Sequence, residues 1–263
     1  MLEHKKIQNL SDYFVELNSR REKGVYFYRI NGYSEEVGEF IKKYYDTARR
    51  TGVVIEGKIP NPDEGNLAYY NEIMGMDFQM SMDFIHVSLR KWLPRMNEFQ
   101  RQNVAASIYD SLDSLRKAGK TENMLRNAYI KFMCWLYYKF ERIVNQLGEN
   151  HIPKILYEGQ ISNYELMLIS ILSNAGCDVV LLQYAGDQGY LKTDPGSVLS
   201  DSLQMEGLQP FPPGYCVKKV RDEIQNELNN ERLYGTRPSL TNCTNAWILS
   251  LIHISEPTRP EPI

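Results

Sequence analysis

Residues 155–182 read ILYEGQISNYELMLISILSNAGCDVVLL, and this stretch decides the fold class. Its first part, with the preceding lysine, is a short apolar run that predicts a strand, KILYEG. The following NYELMLISILSNAG has apolar residues at helical spacing and ends at Gly176, a residue typical of helix termination. The final CDVVLLQ is apolar without alternation, as expected of a strand that is buried on both faces of a parallel sheet. The stretch therefore predicts a parallel strand-helix-strand unit.

A similar unit is predicted near the amino terminus. Residues 24–30, GVYFYRI, are rich in aromatic and β-branched residues and predict a strand. Ser34 precedes EEVGEFIKKYYDTARR, a segment with helical apolar spacing that ends at Gly52. VVIEG then predicts a second strand. The chain thus carries two α/β units, one near its start and one after residue 150.

The residues between these units predict helices only. From about Leu67 to Gly148 no convincing strand pattern occurs, whereas helical apolar spacing recurs in three or four segments. The clearest begins after Thr121, where the apolar positions form one broad stripe that predicts a core-facing helix. The stripe consists of Leu125, Tyr129, Phe132, Leu136, Phe140, Ile143 and Leu147. The predicted fold class is α/β, with parallel-sheet βαβ units and a large inserted helical block.

Four segments follow from this pattern. We expect an N-terminal α/β segment over 1–62, a helical block over 63–150 and a second, Rossmann-like α/β segment over 151–248. Residues 249–263 do not continue any earlier pattern, and their LIHISEPTRP resembles a translated sequencing adapter. We therefore expect a non-native tail there, with the natural chain being a fragment of a longer protein.

Composition excludes several classes of protein. The formal net charge is −3 and the pI is about 5.9, without the basic stripe of a nucleic-acid binder. No run reaches the 18 or so apolar residues that cross a membrane, and the amino terminus lacks a signal-peptide pattern. The four cysteines are far apart and form no metal-ligand or disulfide pattern. We expect a cytoplasmic protein with neither nucleic acid nor membrane as a partner.

The junction between the strand KILYEG and the next helix is the first candidate site. A glycine allows a sharp turn or a close approach to a ligand, and a helix start offers unpaired amides. Glu158 at the strand end is the candidate catalytic residue, with Gly159 and Asn163 as candidate ligand-binding residues. For Ser162 and Glu165 we favour an alternative reading, a capping box at the helix start.

The loop after the second strand supplies further candidates, Asp187, Lys192 and Asp194, for ligand binding. These groups would come near Glu158 if the two strands are neighbours, although a solvated loop is the simpler alternative. The dipeptide Glu56-Gly57, at the end of the earlier strand, repeats the pair Glu158-Gly159. The sequence has neither GxGxxG nor GxxxxGK[ST], so it leaves the cofactor unknown and predicts no metal site.

Three stretches resemble a known family. NMLRNAYIKFMCWLYYKF (123–140), PKILYEGQISNYELMLISILSNAGCDVVLL (153–182) and GYLKTDPGSVLS (189–200) are similar to the bacterial YceG-like family. That family is described as a component of a biosynthetic module encoded with tellurium-resistance and stress genes. The resemblance implies a cytoplasmic protein that works beside small-molecule enzymes on a nucleoside- or sugar-like metabolite. It assigns no catalytic residue.

Two functions therefore remain open. The first is an enzyme, or the substrate-binding part of one, that acts on a phosphorylated or sugar-containing small molecule, a small nucleotide or sugar-like ligand, at the carboxyl edge of the sheet. The alternative is a non-catalytic scaffold protein whose helical block binds other stress-operon proteins. Whether the chain is an enzyme is not decided by its sequence.

Overall fold

A single parallel sheet organises the computed structural model, which describes residues 2–61, 67–148, 150 and 152–234. Within these residues the sheet has five strands in the order β2-β3-β4-β1-β5, and every pairing is parallel. The strands are β1 (Phe27–Ile30), β2 (Val53–Glu56), β3 (Lys154–Glu158), β4 (Asp178–Leu182) and β5 (Asp201–Ser202). The predicted α/β class with parallel strand-helix-strand units is confirmed.

The helices surround this sheet, and the predicted helical block is present between β2 and β3. The helices are α1 (Glu35–Thr51), α2 (Ala68–Met74), α3 (Met82–Trp92), α4 (Glu98–Lys117), α5 (Glu122–Trp135), α6 (Glu141–Val144), α7 (Asn163–Ala175), α8 (Gln188–Leu191) and α9 (Val217–Tyr234). Short 3₁₀ turns occupy Leu10–Phe14 and Leu17–Ser19. Residues up to Arg221 form one compact unit, and the described part of the second unit, 222–234, is helical.

The helix boundaries follow the predicted capping residues. The Ser34 side chain accepts a hydrogen bond from the Val37 amide at the start of α1. At the start of α7, the Ser162 amide donates to the Glu165 carboxylate at 3.0 Å, which confirms the predicted capping role of Glu165. The same carboxylate accepts from the Ile59 amide at 2.7 Å, so it also ties the segment after β2 to α7.

The long aromatic helix predicted after Thr121 is present with an interruption. Helix α5 passes into a π-helical segment, Leu136–Phe140, before α6 begins at Glu141. The apolar stripe is nevertheless buried throughout, from Leu125 to Leu147. The stripe is therefore core, as expected. No helix in the described part of the chain is long and apolar enough to cross a membrane.

The two faces of the sheet are covered by different elements. Phe27, Val179 and Ile155 are in register on neighbouring strands and share one apolar core with α7 and the helical block. The next row of the pleat points to the opposite face, because successive strand side chains alternate. Helix α1 packs on that face, where its Tyr44 hydroxyl donates to the carbonyl of Asp178 at 3.0 Å.

The strand order creates a switch point at the carboxyl edge. The connection from β1 crosses the face of the sheet that α1 covers and reaches β2, beyond β4 and β3. The connection from β4 runs in the other direction, past β1, and reaches β5. Tyr190, in the connection from β4, packs in the core on the face opposite α1. Two neighbouring strands whose connections leave over opposite faces of the sheet open a crevice between their carboxyl ends, which is where open α/β sheets bind ligands. The relevant crevice lies beyond β1 and β4.

A buried ion cluster stabilises the opposite, amino-terminal edge. Asp178, which is fully buried, accepts hydrogen bonds from Arg20 Nη1 at 2.9 Å and from Lys154 Nζ at 2.5 Å. It also accepts from the Tyr26 amide at 2.9 Å. Burial lowers the pKa of Lys154, and the Asp178 carboxylate partly opposes that effect. The cluster joins the amino-terminal segment to β3 and β4.

Candidate functional site

A cleft of about 570 Å³ lies at the carboxyl edge, at the predicted position for a ligand in this topology. Its walls come from the segments that follow three adjacent strands. Residues 31–32 follow β1, residues 184–186 follow β4, and residues 203–205 and 208–210 follow β5. The central strand of the three is β1, so the cleft is centred on the end of that strand.

The outer wall of the cleft is held against the end of β1 by the main chain. Tyr33 and Gln209 form an isolated antiparallel bridge, in which the Gln209 amide donates to the Tyr33 carbonyl at 2.9 Å. Leu208 approaches so closely that a Cβ added to Gly32 would lie 3.0 Å from the Leu208 Cβ. Glycine at position 32 thus allows the wall to close on the strand end.

The lining of the cleft is polar but uncharged. It includes the amide side chains of Asn31, Gln204 and Gln209 and the ring of Tyr184, together with small and apolar residues. Among the residues that the structure describes, none that lines the cleft is Asp, Glu, Lys, Arg or His. A pocket that combines apolar surface with a few amides is suited to a neutral polar ligand, which it can orient by hydrogen bonds.

An ion pair lies next to this lining. Arg29 on β1 is buried, and its Nε and Nη2 donate to the two oxygens of Asp187 at 3.1 and 2.9 Å. Burial of Asp187 would raise its pKa, but the hydrogen bonds and charge of Arg29 outweigh burial and hold that pKa below its usual value. Hydrogen bonds from Asn31 and Ser202 lower it further. Asp187 is therefore an ionised carboxylate at neutral pH.

Helix α8 and the loop that follows it fold around the other side of Arg29. The guanidinium lies 4.2 Å from the ring centre of Tyr190 and donates to Ser200 Oγ at 2.9 Å. Asp194 is buried and accepts from the Leu199 amide and the Tyr190 hydroxyl, both at 2.9 Å. Asp194 thus organises its own loop.

Glu158 accepts hydrogen bonds from a tyrosine hydroxyl and from the start of α9. Its Oε2 accepts from the Tyr184 hydroxyl at 2.6 Å and from the Val217 amide at 2.8 Å, at the first residue of α9. Burial raises the pKa of Tyr184, and the neighbouring carboxylate raises it further, so the phenol keeps its proton and donates. A carboxylate at the start of a helix satisfies one of the unpaired amides there. This geometry gives Glu158 a capping role toward α9.

The repeated Glu-Gly dipeptides occupy equivalent places. Glu56 and Glu158 are register partners on β2 and β3. Glu56 pairs with Arg221, on the first turns of α9, at 3.0 Å. Gly57 and Gly159 both have positive φ, 85° and 97°, and a Cβ on Gly159 would lie 3.4 Å from the Gly57 Cα. The two dipeptides therefore turn side by side, and both carboxylates contact the same helix.

Replacing Glu158 with Gln is expected to loosen the start of α9. Gln can still accept one hydrogen bond, but the charge-assisted bond to the Val217 amide is lost, which we expect to cost about 1–2 kcal/mol. Amide hydrogen exchange at Val217 should accelerate about tenfold, while exchange in β4 stays unchanged. Glu56→Gln is the matched control, since its pair with Arg221 is solvent-exposed, and unchanged Val217 exchange is expected there. Equal exchange at Val217 in Glu158→Gln and wild type would exclude the capping role.

The remaining sequence candidates differ in exposure and in their hydrogen-bond partners. Asn163 is exposed as the first residue of α7, and Lys192 is exposed just after α8. Although β3 and β4 are neighbours as anticipated, Glu158, Asp187 and Asp194 each have a separate set of partners. Among the candidates, Asp187 is the one that the structure places beside the cleft through Gly186 and Asn31.

Much of the cleft is formed by residues that are not among the candidates predicted from the sequence. Asn31 and Gly32 directly follow the predicted strand 24–30, so a polar side chain and a glycine at a strand end are the signal that could have identified them. The segment 203–210 carries no comparable signal, because its place depends on β5, a strand of two residues. The two groups meet because β1 lies between β4 and β5 in the sheet.

The comparisons with known proteins place the chain in a family. The family model described as YceG domain matches residues 5–226, which include all five strands and the cleft. No curated protein and no solved structure is significantly similar to the chain. This match covers most of the chain and agrees with the resemblance seen in residues 123–140, 153–182 and 189–200. The chain belongs to the YceG domain family.

Proposed function

We propose that this YceG domain binds a small, uncharged polar molecule, nucleoside- or sugar-like, in the cleft beyond β1, β4 and β5. The domain would act as an enzyme or as the substrate-binding part of one, within a biosynthetic module of tellurium-resistance or stress operons. The observation that carries the proposal is the neutral, amide-bearing lining of a cleft at the switch point of a parallel sheet.

The start of α1 favours an unphosphorylated ligand. In many mononucleotide sites a phosphate binds at the helix start that follows the first strand. Here the Ser34 side chain already accepts from the Val37 amide, and Glu35 and Glu36 occupy the first turn. Two carboxylates at that helix start repel a phosphate. A nucleoside or a free sugar therefore fits this edge better than a nucleotide.

Calorimetric titration with nucleosides, free sugars and the phosphate esters of both tests the proposal. At least one unphosphorylated compound is expected to bind more tightly than its phosphate. Gln204→Ala removes an exposed lining amide and is expected to weaken binding about 3- to 10-fold, the loss of one hydrogen bond.

Tyr70→Ser, at a surface away from the cleft lining, is the matched control and should bind like wild type. The proposal is contradicted if no compound in the panel binds, or if Gln204→Ala and Asn31→Ala both retain wild-type affinity.

One observation favours the alternative function, protein interaction through the helical block. A second cavity of about 420 Å³ lies between α2 and α5, and its lining is mainly apolar. Tyr70 and Met74 on α2 are partly exposed there, each at 37%. Because the same Tyr70→Ser variant alters this groove, its effect on partner binding and its lack of effect on ligand binding would separate the two functions.

A further inference from the structure

Neighbouring residues determine the orientation of the Asn31 side-chain amide in the cleft. Asn31 lines the cleft directly after β1, and its Nδ2 donates to Ser202 Oγ on β5 at 3.1 Å. The two ends of an asparagine amide differ chemically, since the nitrogen only donates and the oxygen only accepts. If the amide nitrogen donates to the protein, the oxygen is left to accept a hydrogen bond from a ligand; if the oxygen accepts from the protein, the nitrogen is left to donate.

The ion pair beside the cleft determines which end faces the protein. Arg29 is buried and holds both oxygens of Asp187, so the carboxylate is fixed in place and needs donors on its remaining lone pairs. Ser202 and Asn31 lie beside this carboxylate, and hydrogen bonding from both contributes to lowering the pKa of Asp187. A serine hydroxyl that donates to Asp187 presents its oxygen lone pairs to Asn31, which must then donate with Nδ2.

The reversed amide would be unfavourable. It would turn Asn31 Oδ1, an acceptor, toward a carboxylate that also only accepts, and it would require Ser202 to donate to Asn31 rather than to Asp187. Hydrogen bonds to a charged acceptor are the stronger ones, so the network keeps its direction from Asn31 through Ser202 to Asp187. The Asn31 oxygen is consequently the end left for the cleft.

We infer that Asn31 is a specificity-determining residue, whose Oδ1 accepts a hydrogen bond from an amino or hydroxyl group of the bound molecule. Ser202 and Asp187 are positioning residues that act through Asn31. This inference rests on the proposed ligand site and adds a chemical requirement: the ligand presents a donor at this point, and an analogue with an acceptor or nothing there is rejected. A site that leaves a polar group unpaired discriminates more strongly than one that only loses apolar contact.

Matched ligand pairs test the requirement by calorimetry. Adenosine and cytidine carry an amino group where inosine and uridine carry a carbonyl, and a free sugar can be compared with its deoxy analogues. In the class that binds, wild-type protein is expected to favour the donor-bearing member of one pair about tenfold. Asn31→Ala should reduce this preference to less than about twofold.

Ser202→Ala provides the more specific readout. It removes one of the two groups that face Asn31 Nδ2, the other being Asp187. The amide is then oriented less strictly, and the donor preference should fall to about two- to threefold while binding of the disfavoured member improves. Ser114→Ala, which alters an exposed serine on α4, is the control and should keep the tenfold preference.

The outcomes separate this inference from the proposed function. Failure of every compound to bind contradicts the ligand site itself. Binding without preference for a donor in any pair, or an unchanged preference in Asn31→Ala and Ser202→Ala, contradicts the role of Asn31 and leaves the ligand site intact. A thermal unfolding curve for each variant confirms that the folded protein is being titrated.

Discussion

Replacing Asp178 with Asn is expected to lower the free energy of unfolding by about 3–5 kcal/mol, the typical cost of leaving buried charges without their partner. Asn can still accept from the Tyr26 amide, but it carries no charge to balance Arg20 and Lys154. Both cations are buried beside it, where water cannot replace the carboxylate. Urea denaturation followed by far-ultraviolet circular dichroism at pH 7 measures the change.

Asp46→Asn is the control for this variant. Asp46 forms ion pairs with Arg49 and Arg50 on the exposed side of α1, and such pairs contribute little to stability. The denaturation midpoint should therefore remain close to that of wild type. A similarly small change in Asp178→Asn would show that the ion cluster does not hold the amino-terminal segment to the sheet.

Gly52→Ala is expected to destabilise the protein by about 3 kcal/mol or more, because it places a methyl group inside a backbone contact. A Cβ at position 52 would lie 1.7 Å from the carbonyl oxygen of Lys154. The φ of Gly52 is −147°, so the cause is this collision and not a left-handed backbone. Since Gly52 directly precedes β2 and Lys154 begins β3, the added methyl group would separate these two strands.

The comparison with Gly119→Ala isolates the collision. Gly119 follows α4 with φ of 79°, and a Cβ there would meet no atom within 4 Å. Only the backbone penalty for a left-handed residue applies, about 1 kcal/mol. Equal losses of stability in the two variants, measured by the same urea titration, would contradict the close approach of Gly52 to β3.

Much of the fold is predictable because it depends on local pattern. Apolar and polar residues do not alternate in residues 177–183, and this pattern alone indicated the buried parallel strand β4. Ser34, Gly52 and Gly176 marked helix ends correctly, because capping involves residues within one turn of each other. The interruption of the aromatic helix at Leu136–Phe140 left no sequence signal, since the apolar stripe continues through it.

The candidate site was harder to predict because it depends on strand order. The sequence gives β3 and β4 as consecutive strands, but it does not state that β1 lies between β4 and β5. That placement brings Arg29 to Asp187 and joins Asn31 to the segment after β5. Glu158 met the local criterion for a site, a carboxylate at a strand end, yet the distant residue Val217 supplies its hydrogen-bond partner.

The charge of Arg29 is a sequence signal for a buried ion pair near the end of β1. An arginine within the apolar run GVYFYRI must either reach solvent or find an anion, because a buried unpaired charge is costly. That reasoning predicts a carboxylate near the end of β1 without naming it. The structure identifies Asp187, one of the candidates of the loop after β4, as the partner.

Backbone amide chemical shifts report whether the cleft around the end of β1 binds a ligand. The ¹⁵N-labelled protein is titrated with the tightest-binding nucleoside or sugar of the panel. We predict the largest shift changes at Asn31, Gly32, Gly186 and Gln204, which line the cleft from three strand ends. Changes confined to Glu158–Asn163, or to the groove between α2 and α5, would contradict the assignment of the cleft.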